Sequence, residues 1–281
     1  MLAEAIEGLA IRREGVYLDA TAGLGGHTGA IARSLTSGLV IANDRDAAAL
    51  GLAEANTADV AGRILFHHGR FSELAGAVAA AGRGQVDGLL ADLGVSRYQL
   101  TGAERGFSFQ AEGPLDMRMD QSRGITAADL VNRSAEKALA DWIHQHGEER
   151  RARKIARAIV RARPIRSTLH LADVVERAVH RTGRLHPATQ TFMALRMVVN
   201  QEPEELDALL DIAPRLVKSE GRIVVISFMS LEDRKVKEKF RELRMAGQGA
   251  IVTRKPVVPS DEEIRANPPS RSAKLRVFEM A

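Results

Sequence analysis

Short apolar runs alternate with alanine-rich segments of helical spacing over the first third of the chain. Apolar runs that end in polar or glycine residues are typical of buried strands. Four such runs occur here: VYLDA (16–20), LVIAND (39–44), ILFHHG (64–69) and GLLADLG (88–94). Residues 47–56 and 71–82 carry the helical pattern between them. Because strands that alternate with helices form parallel sheets covered on both faces, we predict an α/β fold with a doubly wound sheet.

The pattern changes after this first third. Residues 96–124 have no clear period and several Gly and Pro breaks, and segments of this length are usually functional or disordered. Only helical patterns follow, as far as Val199, and one of them covers residues 148–163. The strand pattern then returns at residues 221–228, 250–255 and 273–280. We therefore predict a sheet domain of residues 1–99 and 201–281, interrupted by an all-helical domain of residues 100–200.

The first predicted strand runs into a glycine-rich loop, in the stretch YLDATAGLGGH (17–27). Glycines let the chain turn sharply and let its backbone approach a ligand at the N-terminus of the next helix. His27 follows Gly26 where a phosphate-binding P-loop has Lys, and Thr28 stands where a dinucleotide-binding loop has its third glycine. The loop alone is therefore a weak indication of any nucleotide-like ligand.

Two aspartates at predicted strand ends are candidate ligand residues. Asp44 closes the second strand, 21 residues after Gly23. A carboxylate at that place can accept hydrogen bonds from both hydroxyls of a ribose. The alternative is an ordinary turn aspartate in the sequence NDRD. Asp92 closes the fourth strand, where it either meets a ligand or caps a turn, and the sequence does not decide between these roles.

The chain is basic, with a formal net charge of +4 and a pI near 9.6, which favours anionic partners. Its most basic segment contains seven bases close to only two acids, Glu148 and Glu149. The bases are Arg150, Arg151, Arg153, Lys154, Arg157, Arg161 and Arg163. A solvated amphipathic helix is one interpretation. We favour the other, an unpaired positive stripe that contacts a nucleic-acid backbone.

Other classes of site are excluded or not expected. The chain has no cysteine, which excludes disulfides, thiol catalysis and thiolate metal sites. The eight histidines are scattered, without a metal-binding spacing to acidic residues, so we expect no metal. No apolar run is long enough to cross a membrane, and the first residues lack the layout of a signal peptide. We therefore expect a cytoplasmic protein with no membrane partner.

Ten sequence blocks follow one another along almost the whole chain. They are DATAGLGGH, NDRD, HHGRFSEL, DGLLADLGVS, ERGFSF, GPLDMRMD, GEERRARKIARAIV, HPATQTFMALRMVVN, GRIVVISFMSLEDRKVK and NPPSRSAKLRV. In this order they resemble the signatures of the bacterial 16S rRNA cytosine-N4 methyltransferases (the RsmH/MraW family). The resemblance implies a class I methyltransferase fold with a helical insertion and S-adenosyl-L-methionine as the cofactor. It also implies the substrate, a cytidine in the decoding region of 16S rRNA in the small ribosomal subunit.

The resemblance further implies roles for individual residues. For the cofactor these are Gly25, Gly26 and His27 at the methionine end, Asp44 at the ribose, Phe71 by the adenine, and Asp92 and Gln99 completing the pocket. The helical insertion would bind rRNA phosphates through its basic residues, with Arg150, Arg151, Arg153, Lys154 and Arg157 as the candidates.

For the reaction we expect in-line transfer of the methyl group to the exocyclic amine of the cytosine, with Asp92 as the candidate proton acceptor. Phe107 and Phe109 either stack on the extruded base or close the core. Lys274 and Arg276 either contact RNA or form the solvent face of an edge strand.

Several positions depart from the family pattern. The sequence starts at MLAEAIEGL without the usual His-x-Pro-Val lead, and Arg97–Tyr98 replaces a common Ser-Pro. Met229 stands where His is typical, and Met193 where Gln is typical. An RNA-binding ribosome-assembly factor that keeps the cofactor fold with weakened or lost turnover is therefore the alternative to an active enzyme. An NAD-dependent oxidoreductase is a remote third, because the third glycine and a hydride-handling residue are both missing. A homodimer remains open.

Overall fold

The computed structural model describes residues 1–179 and 186–281, which divide into two compact units. The sheet unit holds residues 1–94 and 203–281, and the helical unit holds residues 95–202. Each unit buries apolar clusters of its own. None of the helices in the described residues is both long and apolar enough to cross a membrane.

Seven strands form one sheet in the sheet unit. They are β1 (Val16–Asp19), β2 (Leu39–Asp44), β3 (Ile64–His68), β4 (Val86–Asp92), β5 (Val217–Ser227), β6 (Gly249–Ile251) and β7 (Lys274–Met280). Their order is β3-β2-β1-β4-β5-β7-β6, in which β1 to β5 are parallel and β7 is antiparallel to both of its neighbours. The predicted α/β class with a doubly wound sheet is confirmed.

Helices cover both faces of this sheet. The sheet unit contains α1 (Leu2–Leu9), α2 (Gly26–Ser34), α3 (Ala47–Asn56), α4 (Leu74–Ala80), α11 (Glu202–Leu216, from Pro203 onward), α12 (Ser230–Met245) and α13 (Asp261–Ala266). Apolar residues of α1, α2 and α3 join one buried cluster, and those of α4, α11 and α12 join another. Because successive side chains of a strand point to opposite faces of the sheet, Tyr17 lies in the first cluster and its neighbours Val16 and Leu18 lie in the second.

The described residues of the helical unit pack around one apolar cluster. Its helices are α5 (Arg97–Thr101), α6 (Ala127–Arg133), α7 (Glu136–Gln145), α8 (Ala152–Arg161), α9 (Thr168–Ala178) and α10 (Thr189–Asn200). Residues 102–126 are mostly irregular, yet they are held in place. The side chain of Asn200 accepts a hydrogen bond from the Met119 N–H at 2.8 Å and donates one to the Met117 carbonyl at 2.7 Å. This irregular segment is therefore part of the core of the unit.

Two predicted elements are shorter than expected. The strand predicted over 250–255 ends at Ile251, because Val252 and Thr253 both turn their N–H groups towards the Val277 carbonyl and break the pairing register. The helix predicted over 148–163 is α8, which begins only at Ala152. Glu148 has a positive φ of 52°, and the Glu149 carboxylate accepts the Arg151 N–H at 2.8 Å, so the chain turns there before it becomes helical.

Candidate active site

The loop after β1 carries the residues that approach the carboxyl edge of the sheet. Gly25 precedes α2 with a φ of 88°, and a Cβ at that position would lie 3.0 Å from Thr57 Cγ2 and 3.1 Å from the Ala53 carbonyl. Only glycine fits there without strain. Gly26 opens α2, and a Cβ placed on it would meet no heavy atom within 4 Å. The first turn of α2 therefore presents its free N–H groups beside open space.

Asp19, at the end of β1, anchors this loop from below. Its Oδ2 accepts the Thr28 hydroxyl at 2.6 Å, and its Oδ1 accepts the Thr21 N–H at 3.1 Å. The side chain is fully buried, and burial raises its pKa to about 6 in spite of these hydrogen bonds. No role for Asp19 was predicted from the sequence. The only signal was an aspartate that ended an apolar run.

Asp44, at the end of β2, lies against the same loop. Its Oδ2 accepts the Gly23 N–H at 2.8 Å, and its Oδ1 accepts the Asp46 N–H at 2.9 Å. Each oxygen keeps a lone pair for a further donor. Burial raises the pKa of Asp44 to about 6, so the carboxylate is largely ionised at pH 7. The turn role and the ligand role that the sequence left open are compatible, because one carboxylate can serve both.

Asp92, at the end of β4, faces the loop from the other side. The Thr21 hydroxyl accepts its N–H at 2.7 Å, and its Oδ2 lies 3.7 Å from His27 Nδ1. The side chain is 31% exposed, yet its Oδ1 is buried and has no hydrogen-bond partner among the described residues. Its pKa is raised to about 6, mainly by burial, while the His27 imidazole acts to lower it. This unpaired oxygen is available to a donor from a ligand.

His27 is the partner of Asp92 on α2. The side chain is half-buried, and its Nε2 is buried with no hydrogen-bond partner in the part of the chain that the structure describes. Burial lowers its pKa, so the ring is neutral at pH 7 and one nitrogen can accept while the other donates. Asp92 and His27 thus form a pair of adjacent titratable groups, each with an unpaired buried atom.

A second missed residue ties the strand ends together. Asn43 donates from its Nδ2 to the Ala20 and Gly69 carbonyls, both at 3.2 Å, and its Oδ1 lies 2.8 Å from His67 Nδ1. Gly69 leads to Phe71, whose half-buried ring packs on the apolar cluster of the sheet unit. The sheet unit therefore brings six of the predicted residues to one edge: Gly25, Gly26, His27, Asp44, Phe71 and Asp92.

The other predicted site residues lie in the helical unit. Gln99 is buried, and its side chain accepts the Ser96 N–H at 2.9 Å in the cap of α5. Phe107 is 6% exposed within the core, which supports the core role of the two considered for it. Phe109 is half-buried and packs edge-on against Phe192, with ring centroids 4.9 Å apart.

The basic residues around α8 fall into two groups. Arg151 and Arg157 pair with Glu149 and Glu136, and Arg163 donates to two backbone carbonyls. Four others are exposed and have no ion pair among residues 1–179 and 186–281: Arg150, Arg153, Lys154 and Arg161. An unpaired positive stripe is thus present, although it contains four of the seven bases in the segment.

Of the two alternatives for Lys274 and Arg276, the edge strand needs correction. β7 pairs with β5 on one side and β6 on the other, so it is not an edge strand. Arg276 is buried and donates from its Nε to Asp233 Oδ1 at 2.6 Å, and Lys274 Nζ lies 3.4 Å from Asp233 Oδ2. The Arg276 charge is therefore engaged within the sheet unit, whereas Lys274 is half-buried and its contact with RNA stays a prediction.

The described residues contain no group of three or more His, Asp or Glu side chains that could hold a metal ion. One of the eight histidines, His180, lies outside the described residues.

Comparison with known proteins gives the context of this site. The model of the MraW methylase family matches residues 1–281. A protein from Solibacter usitatus described as ribosomal RNA small subunit methyltransferase H is 71% identical over 280 residues, which cover 100% of this chain and 98% of that protein. A protein of the same description from Acidobacterium capsulatum is 50% identical and covers 99% of this chain and 96% of its own length.

Among solved structures, that of a putative rRNA methylase from Clostridium thermocellum has 13% sequence identity and a TM-score of 0.46, covering 99% of this chain and 96% of that one. The predicted methyltransferase, with S-adenosyl-L-methionine as its cofactor, is confirmed by the family match. The chain is a member of the MraW methylase family.

Proposed function

We propose that this protein methylates the exocyclic N4 amine of a cytidine in the decoding region of 16S rRNA, with S-adenosyl-L-methionine as the methyl donor. The observation that carries the proposal is Asp92, a strand-end carboxylate with one buried, unpaired oxygen beside the glycine-rich loop. The names of the relatives, which are small-subunit rRNA methyltransferases, support rRNA as the substrate class.

The residues at the sheet edge suit this cofactor. The open space above Gly26 and the free N–H groups of the first α2 turn match its methionine carboxylate. Asp44 can accept from the ribose hydroxyls through the lone pairs that Gly23 and Asp46 leave free. Phe71 offers an apolar face for the adenine ring. The cofactor carries no phosphate, so the loop does not need the lysine of a P-loop.

When bound, S-adenosyl-L-methionine supplies a methyl group that is already activated for transfer. The protein has to align the cytosine amine and remove the proton that the amine loses on methylation. The unpaired Oδ1 of Asp92 can accept a hydrogen bond from the amine and then take this proton. With a pKa near 6 and an ionised state at pH 7, Asp92 is basic enough for that role.

The helical unit supplies the proposed RNA contacts. The four exposed and unpaired bases around α8 are suited to phosphates, and the half-buried ring of Phe109 to an unstacked base. Gln99 is kept as a proposed cofactor residue on the resemblance alone.

Transfer of labelled methyl to unmethylated small ribosomal subunits tests the proposal, with nucleoside analysis of the product. Label in N4-methylcytidine is expected for the wild type, with a loss of at least about a hundredfold in Asp92→Asn, in line with the usual contribution of a general base. An unchanged melting temperature of the variant would show that its fold is intact. Label in another nucleoside, or full activity in Asp92→Asn, would contradict the proposal. Subunit binding without any methyl transfer would instead favour the assembly-factor alternative.

A further inference from the structure

Helix α12 begins at the edge of the sheet that carries the candidate active site. β4 and β5 are parallel, and Asp92 pairs with Ile226, so β5 ends beside Asp92. α12 follows from Ser230 and crosses back along the sheet towards β6, which is parallel to β5. Its 16 residues extend over about 24 Å. Successive turns of α12 therefore lie farther and farther from the candidate site.

One side of this helix is electrostatically satisfied. Its buried face packs Val236, Phe240 and Leu243 on the sheet. Next to that face, Lys235 Nζ lies 2.7 Å from the Asp207 carboxylate of α11. Lys239 makes the same kind of ion pair with Asp211, one turn further along both helices. The lysines on this side therefore have their charges balanced within the fold.

The opposite side carries four bases and no balancing acid. They are Arg234, Lys237, Arg241 and Arg244, which we call the α12 basic face. At 3.6 residues per turn they fall within an arc of about 80° that contains no acidic residue. Three of them are exposed and Lys237 is half-buried. None of the four makes an ion pair with any residue that the structure describes.

An ordinary solvated helix face is the simplest alternative. It does not account for the separation of charge on α12, where the bases next to α11 are paired and those on the far side are not. Glu238 and Glu242 are exposed on the same helix but do not bridge to the basic face. The bases recur about once per turn, at intervals of about 5 Å, and this repeat of single positive charges complements a backbone with a charge every few ångströms.

We propose that the α12 basic face binds the phosphodiester backbone of the RNA strand next to the target cytidine, and so fixes the register of that strand on the sheet unit. This surface is separate from the bases around α8, which belong to the helical unit. The inference rests on the proposed function in one respect, because it takes RNA as the substrate.

Two double variants with the same change in formal charge test this inference. Arg241→Gln with Arg244→Gln removes two bases from the basic face. Lys235→Gln with Lys239→Gln removes two paired bases from the same helix. For each, we would measure KM and kcat for small ribosomal subunits, direct subunit binding at several salt concentrations, and cofactor affinity.

The basic-face variant is expected to raise KM about tenfold near physiological salt and to change kcat less than twofold, because phosphate contacts position the substrate. The slope of the logarithm of its binding constant against the logarithm of the salt concentration should become shallower by about 1.5, which corresponds to the loss of two phosphate contacts. The paired-lysine variant and the cofactor affinity of both should stay within about twofold. Equal losses in the two variants would overturn the inference, since they would reflect net charge alone.

Two other outcomes separate the inference from its premise. Wild-type protein that binds subunits but transfers no methyl would refute the proposed reaction and leave the binding comparison valid. Basic-face variants with unchanged subunit binding but reduced binding to vesicles rich in phosphatidylserine would refute the RNA assignment and show a membrane surface as the partner.

Discussion

The pH dependence of methyl transfer is the sharpest consequence of the geometry around Asp92. Burial raises the pKa of this carboxyl from an ordinary value of 3.8 to about 6. As a proton acceptor it must be ionised, and its ionised fraction is about nine tenths at pH 7 and about one tenth at pH 5. We expect the single-turnover rate to fall about tenfold over that range. If the proton acceptor were a solvent-exposed aspartate with an ordinary pKa, the rate would fall by less than about a tenth between pH 7 and pH 5.

A variant of His27 should shift the pH–rate profile in one direction, which a general loss of activity would not do. The His27 imidazole lies 3.7 Å from the Asp92 carboxylate and, in the acidic range where it becomes protonated, acts to lower the pKa of Asp92. In His27→Gln that influence is gone, so the pKa of Asp92 should rise further and the acidic limb of the profile should move to higher pH. Asp92→Asn should lose the limb together with most of the rate.

The assay is single-turnover transfer to small subunits at saturating cofactor, between pH 4.5 and 8, with cofactor affinity measured separately at each pH. Separate binding data are needed because Asp44 also has a pKa of about 6 and is proposed to hold the ribose. Asp44→Asn is the matched control, and it should weaken cofactor binding without moving the limb. A flat wild-type profile, or a limb that moves to lower pH in His27→Gln, would refute the reasoning.

Two further predictions concern the loop after β1. Gly25→Ala should destabilise the sheet unit by about 2 kcal/mol, since its Cβ would meet Thr57 at a φ of 88°, whereas Gly26→Ala should leave the melting temperature unchanged and weaken cofactor binding. Paired thermal melts and cofactor titrations distinguish the two, and equal melting temperatures would contradict the packing argument. Burial raises the pKa of Asp19 to about 6, so the folded state favours the protonated carboxyl. The stability that this gives is fully present below pH 3.8 and is lost as the pH rises through 6. Asp19→Asn should therefore be more stable than the wild type by up to about 3 kcal/mol at pH 7.5 and by almost nothing at pH 3.5, which chemical denaturation at the two pH values would show.

The sheet and its functional edge were predictable because each rests on a local pattern. The apolar runs that become β1, β2, β4 and the second half of β5 are buried on both faces, so their carboxyl ends appear directly as changes from apolar to polar residues. Asp44 and Asp92 stand at such boundaries, and parallel strands bring their carboxyl ends to one edge. Fold and candidate ligand residues therefore came from the same signal.

What was missed depends on contacts between distant residues. Asn200 holds Met117 and Met119 across more than 80 positions of sequence, and nothing around the two methionines indicates an ordered segment. Asn43 joins three strand ends through its side chain, although in the sequence it is only a polar residue before Asp44. Arg276 resembles a surface base because its partner Asp233 is 43 residues away. A pattern of single residues cannot show which charges are already paired.

Met229 shows how far a departure from the family pattern reaches into the site. It lies at the N-cap of α12, where its backbone N–H is accepted by the buried Glu232 carboxylate at 3.1 Å and its carbonyl accepts the Asp233 N–H at 3.0 Å. Both contacts use the backbone, so the start of α12 does not depend on a histidine side chain at this position. Asp233 in turn pairs with Arg276, which fixes α12 against β7. A change of side chain at Met229 can therefore alter the contacts of that side chain while the backbone of the site stays in place. For this reason a measurement of turnover, and not of fold or cofactor binding, distinguishes the active enzyme from the assembly-factor alternative.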